Sequence, residues 1–467
     1  MTTIIPKFPN SLHSRQLLAE ITSKVRKPWI VIVAILFFCV VVPALFAQQE
    51  SNLSIDDAIK IGLEKNSDIK ISILKAKSVG DARVSEVEAG RFPSLKLFAG
   101  YTRLSDIGNS VIPVPIPNLP PFSLTTYFLD NYSVKLSLTQ PIFTGFRLVN
   151  QQKQAEHTSN AAQQDIQSGQ KSVIYAIQQE YWTLYKYQQT LTSVMEDSAE
   201  AESHLTDVKN DVAQGIALQN DLLKSQVQVS NIELQIIQTR NNIRIAMASL
   251  MNTIGLPLET QVTLASVPDS VLTQDRQLSS LIEQAQTKRA ELKASDERIA
   301  AQQNSVSIAQ SDYYPQVSVS GDAYYQNPNQ RYFPAIQEFK TTWDASLNLS
   351  WDLWTWNTQG YQSQEAEYSV EQLQETKKQL EQTIALDVTQ NYLTEQTSFS
   401  QIRVAKLSVE QATENLRVVK LQWSKGVATN SDVLDAQTLL MQAQVNYYSS
   451  VADANIVAAR LKMSIGG

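Results

Sequence analysis

Residues 215–226 read Gly-Ile-Ala-Leu-Gln-Asn-Asp-Leu-Leu-Lys-Ser-Gln, and residues 426–437 read Gly-Val-Ala-Thr-Asn-Ser-Asp-Val-Leu-Asp-Ala-Gln. Glycine, alanine, aspartate, leucine and glutamine recur at the same places, 211 residues apart. Outward from these stretches the offset holds. Tyr181 and Thr183 fall on Tyr392 and Thr394, and Leu136, Leu138, Phe143 and Thr144 fall on Leu347, Leu349, Trp354 and Thr355. At the other end, Ala248, Leu250, Ile254 and Gly255 fall on Ala459, Leu461, Ile465 and Gly466, so 136–255 matches 347–466 without a gap. Upstream the offset drifts to 222–223, where Asp68-Ile69-Lys70 matches Glu291-Leu292-Lys293 and Pro93 matches Pro315, which assigns the first half a longer loop. A repeat on this scale decides the fold before any local feature does. The chain divides into two structural repeats, 48–265 and 266–467.

Each repeat reads as helix, strand, loop, strand, long helix, turn, long helix. The first helix, about 54–91 and 276–312, stops at a proline, which cannot continue it. Strands are expected at about 94–104, 131–143, 316–326 and 342–354. Leu95, Leu97, Ala99 and Tyr101 alternate in the first, and Val317, Val319, Gly321, Ala323 and Tyr325 in the third. Val134, Leu136 and Leu138, and then Trp343, Ala345, Leu347, Leu349 and Trp351, alternate in the other two. A period of two gives each strand one apolar and one polar face. Runs of about 9–12 residues have the length of a tilted membrane strand. Aromatic residues crowd 92–146 and 313–356, as expected where Tyr and Trp settle at a membrane–water boundary. A soluble sandwich with aromatic core pairs is the competing reading. Pro113, Pro115, Pro117, Pro120 and Pro121 exclude a central strand between the first two and suit an extracellular loop.

From about Arg147 to Ala213 nothing interrupts a helix, which at ~1.5 Å per residue is about 100 Å long. The helix that follows carries heptads at Leu222, Val229, Ile236, Ile243, Leu250 and at Ser225, Ile232, Thr239, Ala246, Thr253. Its repeat carries Val433, Leu440, Tyr447, Ala454, Leu461 and Ala436, Ala443, Ser450, Val457, Ser464. Such heptads mean helices wound on neighbours. Only 18% of residues are charged and 14 of 467 are glycine, a composition of long elements wetted by uncharged polar side chains. The net charge of −7 argues against a nucleic-acid partner, whose phosphates need a basic face.

Residues 1–47 have the order of a secretory signal: Lys24, Arg26 and Lys27, an apolar run from Trp29 to Val42, then Pro43 and small residues up to Ala47. The alternative is an uncleaved inner-membrane anchor, for which about 14 apolar residues are too few, since a spanning helix needs about 20. The single cysteine, Cys39, lies inside the apolar run. Removal of the leader leaves no thiol for a disulfide, nucleophile or metal site. His13, His157 and His204 share no metal-ligand spacing, and no phosphate loop, nucleophile elbow or zinc-helix signature occurs. No enzyme activity and no cofactor is therefore expected.

Four membrane strands cannot close a barrel, which takes about eight or more, and open edges are not tolerated in lipid. The chain is expected to oligomerise and share a barrel. The duplication, the junction Gln140-Pro141-Ile142-Phe143-Thr144-Gly145 with its echo Trp351-Asp352-Leu353-Trp354, and the paired turns at 215–218 and 426–429 resemble the TolC-like outer membrane efflux proteins over about 51–467. The resemblance implies an internally duplicated α/β-barrel of the α+β class. It implies a homotrimer with a 12-stranded β-barrel in the outer membrane and a 12-helix tunnel in the periplasm. It also implies a passive exit duct for small molecules or proteins, working with a periplasmic adaptor and an inner-membrane transporter, proton-driven (RND) or ATP-driven (ABC). The other class of function open to the sequence is a non-conducting periplasmic coiled-coil scaffold.

The glycine turns have a local reason, since glycine ends a helix readily and Asp221 and Asp432 can cap the next one. Capping leaves Asp435 unexplained, because its repeat partner is Lys224. By resemblance, Asp432 and Asp435 line the closed periplasmic end, where six carboxylates from three chains would favour cations. By resemblance also, the adaptor contacts are the tips Gly215, Ile216, Ala217, Leu218, Gly426, Val427, Ala428 and Thr429. Some family members lock the closed end with an arginine and a tyrosine; the matching positions here are Ala428 and Trp423.

Overall fold

A computed structural model describes residues 51–106, 111–112, 122–123, 128–268, 276–333 and 335–467. The expected leader at 1–47 with Cys39, and the five prolines from Pro113 to Pro121, lie outside the described residues. The first half contains β1 (Ser51–Leu53), α1 (Ile55–Lys65), α2 (Ser67–Lys77), a π-helical turn (Ser78–Ala82) and α3 (Arg83–Ala89). Then come β2 (Ser94–Arg103), β3 (Val111–Ile112), β4 (Phe122–Ser123), β5 (Asp130–Thr144), α4 (Arg147–Ala213), α5 (Gln219–Ile254) and β6 (Val262–Leu264). The second half contains α6 (Leu278–Lys288), α7 (Ala290–Gln310), β7 (Gln316–Asn327), β8 (Lys340–Ser350), α8 (Thr358–Trp423) and α9 (Asn430–Ser464). Among the described residues, Ser51 and Asn52 together with Thr260–Thr263 form a small separate unit, in which the Thr263 hydroxyl donates to the Asn52 amide oxygen at 2.6 Å. The remainder is one large unit, described below.

The unbroken run expected at 147–213 is α4, 67 residues long, and its repeat α8 has 66. The single helix expected at 54–91 is instead divided, and so is that at 276–312. The break in the first falls at Asn66, whose ψ of 133° leaves the helical region; its side-chain oxygen accepts from the N–H groups of Asp68 and Ile69 and its amide donates to Thr253 O at 2.9 Å. The break in the second falls at Arg289, with ψ 125°, whose guanidinium reaches Glu291 and Asp387. Asn66 both caps the helix that follows it and meets a tertiary partner, whereas the Arg289 break has no side-chain cap and is held by the ion pairs to Glu291 and Asp387. Each corner is also filled from the same direction: Gly255 (φ +74°) lies on Lys65 and Gly466 (φ +77°) on Lys288, and at both an added Cβ would lie within about 3 Å of the neighbouring chain. The two corners are thus built alike.

A hydrogen-bonded tyrosine repeats as well, buried at Tyr181 and half-buried at Tyr392. The Tyr181 hydroxyl donates to Leu53 O at 3.0 Å and accepts from Ser266 N at 2.9 Å, while the Tyr392 hydroxyl donates to Arg276 O at 3.1 Å. The heptads pack as their spacing requires: Ser225, Ile232, Thr239 and Ala246 are buried, and Leu222, Val229, Ile236 and Ile243 half-buried. In α9, Val433, Ala436, Ala443, Ala454, Leu461 and Ser464 are buried.

The four long strands form one antiparallel sheet in the order β2-β5-β7-β8. Three agree with their expected spans within a residue at each end. The fourth, expected to reach 354, stops at Ser350. Its one ladder partner among the described residues, β7, begins with Gln316 opposite Ser350, so β7 offers nothing to pair with the residues beyond. β5, flanked on both sides, continues through a bulge at Pro141/Phe143 to Thr144.

Candidate functional site: the sheet, its junctions and the hairpin tips

Register places like side chains side by side on the sheet. Leu97, Leu136, Ala323 and Trp343 form one row across all four strands, and Leu95, Leu138, Gly321 and Ala345 the next. Leu95, Leu97, Leu136, Leu138, Trp343, Leu347 and Leu349 are all exposed, so this apolar face has no cover among the described residues. The opposite face carries Lys135 paired with Asp322 at 2.9 Å, Ser320 hydrogen-bonded to Ser346 at 2.7 Å, and Asp344 held by Arg331. An exposed apolar face that extends over four strands, backed by a hydrogen-bonded polar one, is the pattern of a membrane barrel wall. A soluble sandwich would bury the apolar face. Among the described residues no helix is long and apolar enough to cross a membrane.

The sheet-to-helix junctions are strained and aromatic. Gly145 (φ +60°) lies so close to Ser311 that a Cβ would fall 2.3 Å from its carbonyl oxygen, so the motif's glycine is required by both space and backbone. Phe146, Trp356 and Asn357 also have positive φ, a conformation costly for L-residues. Phe146 packs edge-on against Phe143 and Tyr314, Trp354 packs edge-on against Trp356, and the Trp351 indole donates to Tyr313 O.

At the far end of the long helices the two tips are built alike. Gly215 (φ +72°) and Gly426 (φ +69°) close α4 and α8, with Ile216 N donating to Asp211 O at 2.8 Å and Val427 N to Gln422 O at 2.9 Å. These are the crossed bonds of a glycine-terminated helix. Asp432 caps α9: its Oδ2 accepts from Thr429 N and from the Thr429 hydroxyl, both at 2.7 Å, while Asp432 N donates to that hydroxyl at 3.3 Å. The Thr429 hydroxyl and N–H hold the Asp432 carboxyl below the usual carboxylate range. Asp221 makes only half of this box, accepting from Leu218 N at 3.3 Å, because leucine has no side-chain acceptor. Asp435 lies one turn further along α9, exposed, with no hydrogen bond or ion pair among the described residues. Its repeat partner Lys224 donates to Ser431 Oγ at 3.0 Å across the two hairpins. The structure therefore places Asp432 and Asp435 on one exposed helix face, three residues apart.

Spacing rules for catalysis and metals miss the cluster that joins the tips. His204 on α4 and Asn430 at the start of α9 are both buried, with His204 Nε2 2.7 Å from Asn430 Oδ1. The Ser225 hydroxyl donates to the same oxygen at 3.3 Å and Asn430 Nδ2 donates to Asp221 O at 3.1 Å. With Nδ2 so committed, Oδ1 is an acceptor and His204 Nε2 carries the proton. Trp423 packs edge-on against the His204 ring. One signal was available: His204 continues the α4 stripe of Val194, Asp197, Ala201 and Val208. His157 pairs with Glu297 at 2.7 Å, far along the same helix. Among the described residues no three His, Cys, Asp or Glu side chains are grouped to hold a metal.

The family profile described as "Outer membrane efflux protein" matches residues 62–256 and 281–467. The chain belongs to this outer membrane efflux protein family. As a family member it is a TolC-like efflux protein of the outer membrane. It is 20% identical over 313 residues to outer membrane protein TolC of Vibrio cholerae, covering 67% of this chain and 72% of that one. The CmeC outer membrane channel of Campylobacter jejuni is 14% identical with a TM-score of 0.72, over 88% of this chain and 85% of that one. The outer membrane protein VceC of Vibrio cholerae is 17% identical with a TM-score of 0.70, over 88% and 96%. At such identities these structures show the shared α+β fold. In this efflux-family chain the match takes in both tips, all of α4, α5, α8 and α9, and the whole sheet.

Proposed function

We propose that this efflux-family chain is the passive outer membrane exit duct of a tripartite system, in which three copies close a 12-stranded barrel over a 12-helix periplasmic tunnel. The observation that carries the reading is the four-stranded sheet, whose apolar face is uncovered and whose edge strands β2 and β8 are unpaired on their outer sides among the described residues. Unpaired N–H and C=O groups cannot be left in lipid, and a second copy offering β2 to β8 satisfies both edges by the same contact, which closes as a ring. Residues 1–47 act as a removable leader, and 48–265 and 266–467 are the two repeats. Cargo, small molecule or protein, comes from an inner-membrane transporter of the proton-driven or ATP-driven class through a periplasmic adaptor.

Two sites serve the duct. The adaptor meets the tips Gly215–Leu218 and Gly426–Thr429, where Ile216, Leu218 and Val427 expose apolar side chains. Asp432 and Asp435 form the periplasmic constriction. Asp432 is the weaker candidate for a gate charge, since its carboxylate is engaged in capping, whereas Asp435 is exposed and makes no hydrogen bond or ion pair among the described residues. Purified protein in planar bilayers tests both the duct and the gate. Cation-preferring single-channel conductance is expected, and Asp435→Asn should reduce the preference. A water-soluble product with no conductance defeats the duct, and unchanged selectivity in Asp435→Asn defeats the gate.

A further inference from the structure

Two buried polar side chains in the contact between the hairpins have atoms without partners among the described residues. Asp197 on α4 is 8% exposed and its Oδ2 makes no hydrogen bond; Gln437 on α9 is 1% exposed and neither its Oε1 nor its Nε2 makes one. Register puts them at the same level. Lys186 reaches Asp453 and His204 reaches Asn430, so α4 and α9 run antiparallel. Seven residues back from His204 is Asp197 and seven forward from Asn430 is Gln437, a step that keeps to one helix face. The surroundings are apolar: Val194, Ala201, Ile232 and Met441 form a buried cluster, with Val229, Ile236 and Val445 packed against it. The repeat does not duplicate the pair, since Ser408 and Gln226 stand at the matching positions and both are exposed.

Among the described residues Asp197 makes no ion pair. On its own helix the neighbouring acids are Glu196, which is exposed, and Glu200, which is paired with Lys420 of α8. From α5 the layer receives Val229, Ile232 and Ile236, and the nearest charged residues of that helix, Glu233 and Arg240, are exposed. From α9 it receives Met441 and Val445, Gln437 is buried on the same helix, and Asp435 is exposed. Burial first, and then the negative charge of Glu200, push the Asp197 carboxyl up to about 6. A neutral carboxyl can donate to an amide oxygen while accepting from the amide N–H, satisfying both groups; a carboxylate can only accept, leaving the amide oxygen bare.

We propose that Asp197 and Gln437 form a proton-operated latch between the two helical hairpins of one chain. The neutral carboxyl pairs with the amide and holds α9 on α4; the carboxylate, without a cation, admits water and loosens the contact. The latch lies within a single chain and does not rest on the duct reading. Hydrogen–deuterium exchange of the full-length protein tests it, following peptides across 194–204 and 433–445 and correcting for intrinsic exchange. Local opening should be at least about tenfold faster at about pH 7.5 than at about pH 5. Equal corrected protection at the two pH values in the wild-type protein overturns the latch, and this comparison needs no variant. Asp197→Asn, which keeps a donor and an acceptor without a charge, should show the low-pH protection at both pH values; a pH dependence retained in it also overturns the latch. Gln437→Leu should lose the extra protection at low pH, and keeping that protection counts against the pairing.

Discussion

At the scale of single residues, glycine and aspartate do different work at positions that look alike in sequence. Gly426 has an empty surround, so Gly426→Ala meets only backbone strain, expected to destabilise the tip by about 1–2 kcal/mol in thermal unfolding. Gly145→Ala adds a collision with the Ser311 carbonyl and should prevent assembly. The two aspartates titrate with opposite consequences. Asp432 is held below the ordinary range by Thr429, so its stabilisation of the tip is full above the unfolded-state value and lost as pH falls through the depressed one. Asp432→Asn should remove that acid-range dependence, read as exchange in the first turn of α9. Asp197 is raised to about 6, so its charge is a penalty, absent below the ordinary carboxylate range and full above about 6. Asp197→Asn should therefore stabilise the chain at about pH 7.5 by on the order of 2–3 kcal/mol. The gain should vanish at low pH in the same unfolding assay.

At the scale of elements, the strands and long helices follow from periodicity, but the short helices do not. Alternation located β2, β5 and β7 within a residue at each end, and uninterrupted helical sequence located α4. The breaks at Asn66 and Arg289 escape the same reading because neither residue is a helix breaker. Each break is stabilised by groups far along the chain, Thr253 O for Asn66 and Asp387 for Arg289. The two faces of the sheet give an element-level prediction. Leu136→Arg places a cation on the uncovered apolar face and should cost about 2–4 kcal/mol if that face meets lipid, whereas Ser137→Arg, on the polar face beside Asp322, should be tolerated. Folding into detergent micelles or liposomes, followed by gel mobility, separates the two.

At the scale of the whole molecule, the sheet is the incomplete part. β2 and β8 are separated by β5 and β7, three strand spacings or about 14 Å, beyond the roughly 7 Å that a disulfide can bridge. The only native cysteine is Cys39, so engineered thiols report without interference. Cysteines in place of Leu97 on β2 and Leu347 on β8 should link copies of the chain into dimers and trimers on oxidation. Intramolecular closure, or no linkage, would count against a shared barrel. The tips belong to this scale too: His204, Ser225, Asn430 and Trp423 join four helices from both repeats, and removing His204 should loosen one hairpin from the other.

The sequence by itself determined the duplication, the four strands, the long helices and the glycine tips, because each is written in residues close along the chain or in a constant offset between its halves. Only the tertiary structure decided where helices break, which strand edges stay open, and which polar side chains are buried together. Those outcomes depend on partners far away in sequence. Asn66 meets Thr253, His204 meets Asn430, and Asp197 comes level with Gln437 only when the two hairpins lie side by side. Periodicity says which face of an element is apolar; it does not say which residue of another element will stand opposite, and desolvation and hydrogen bonding are decided there.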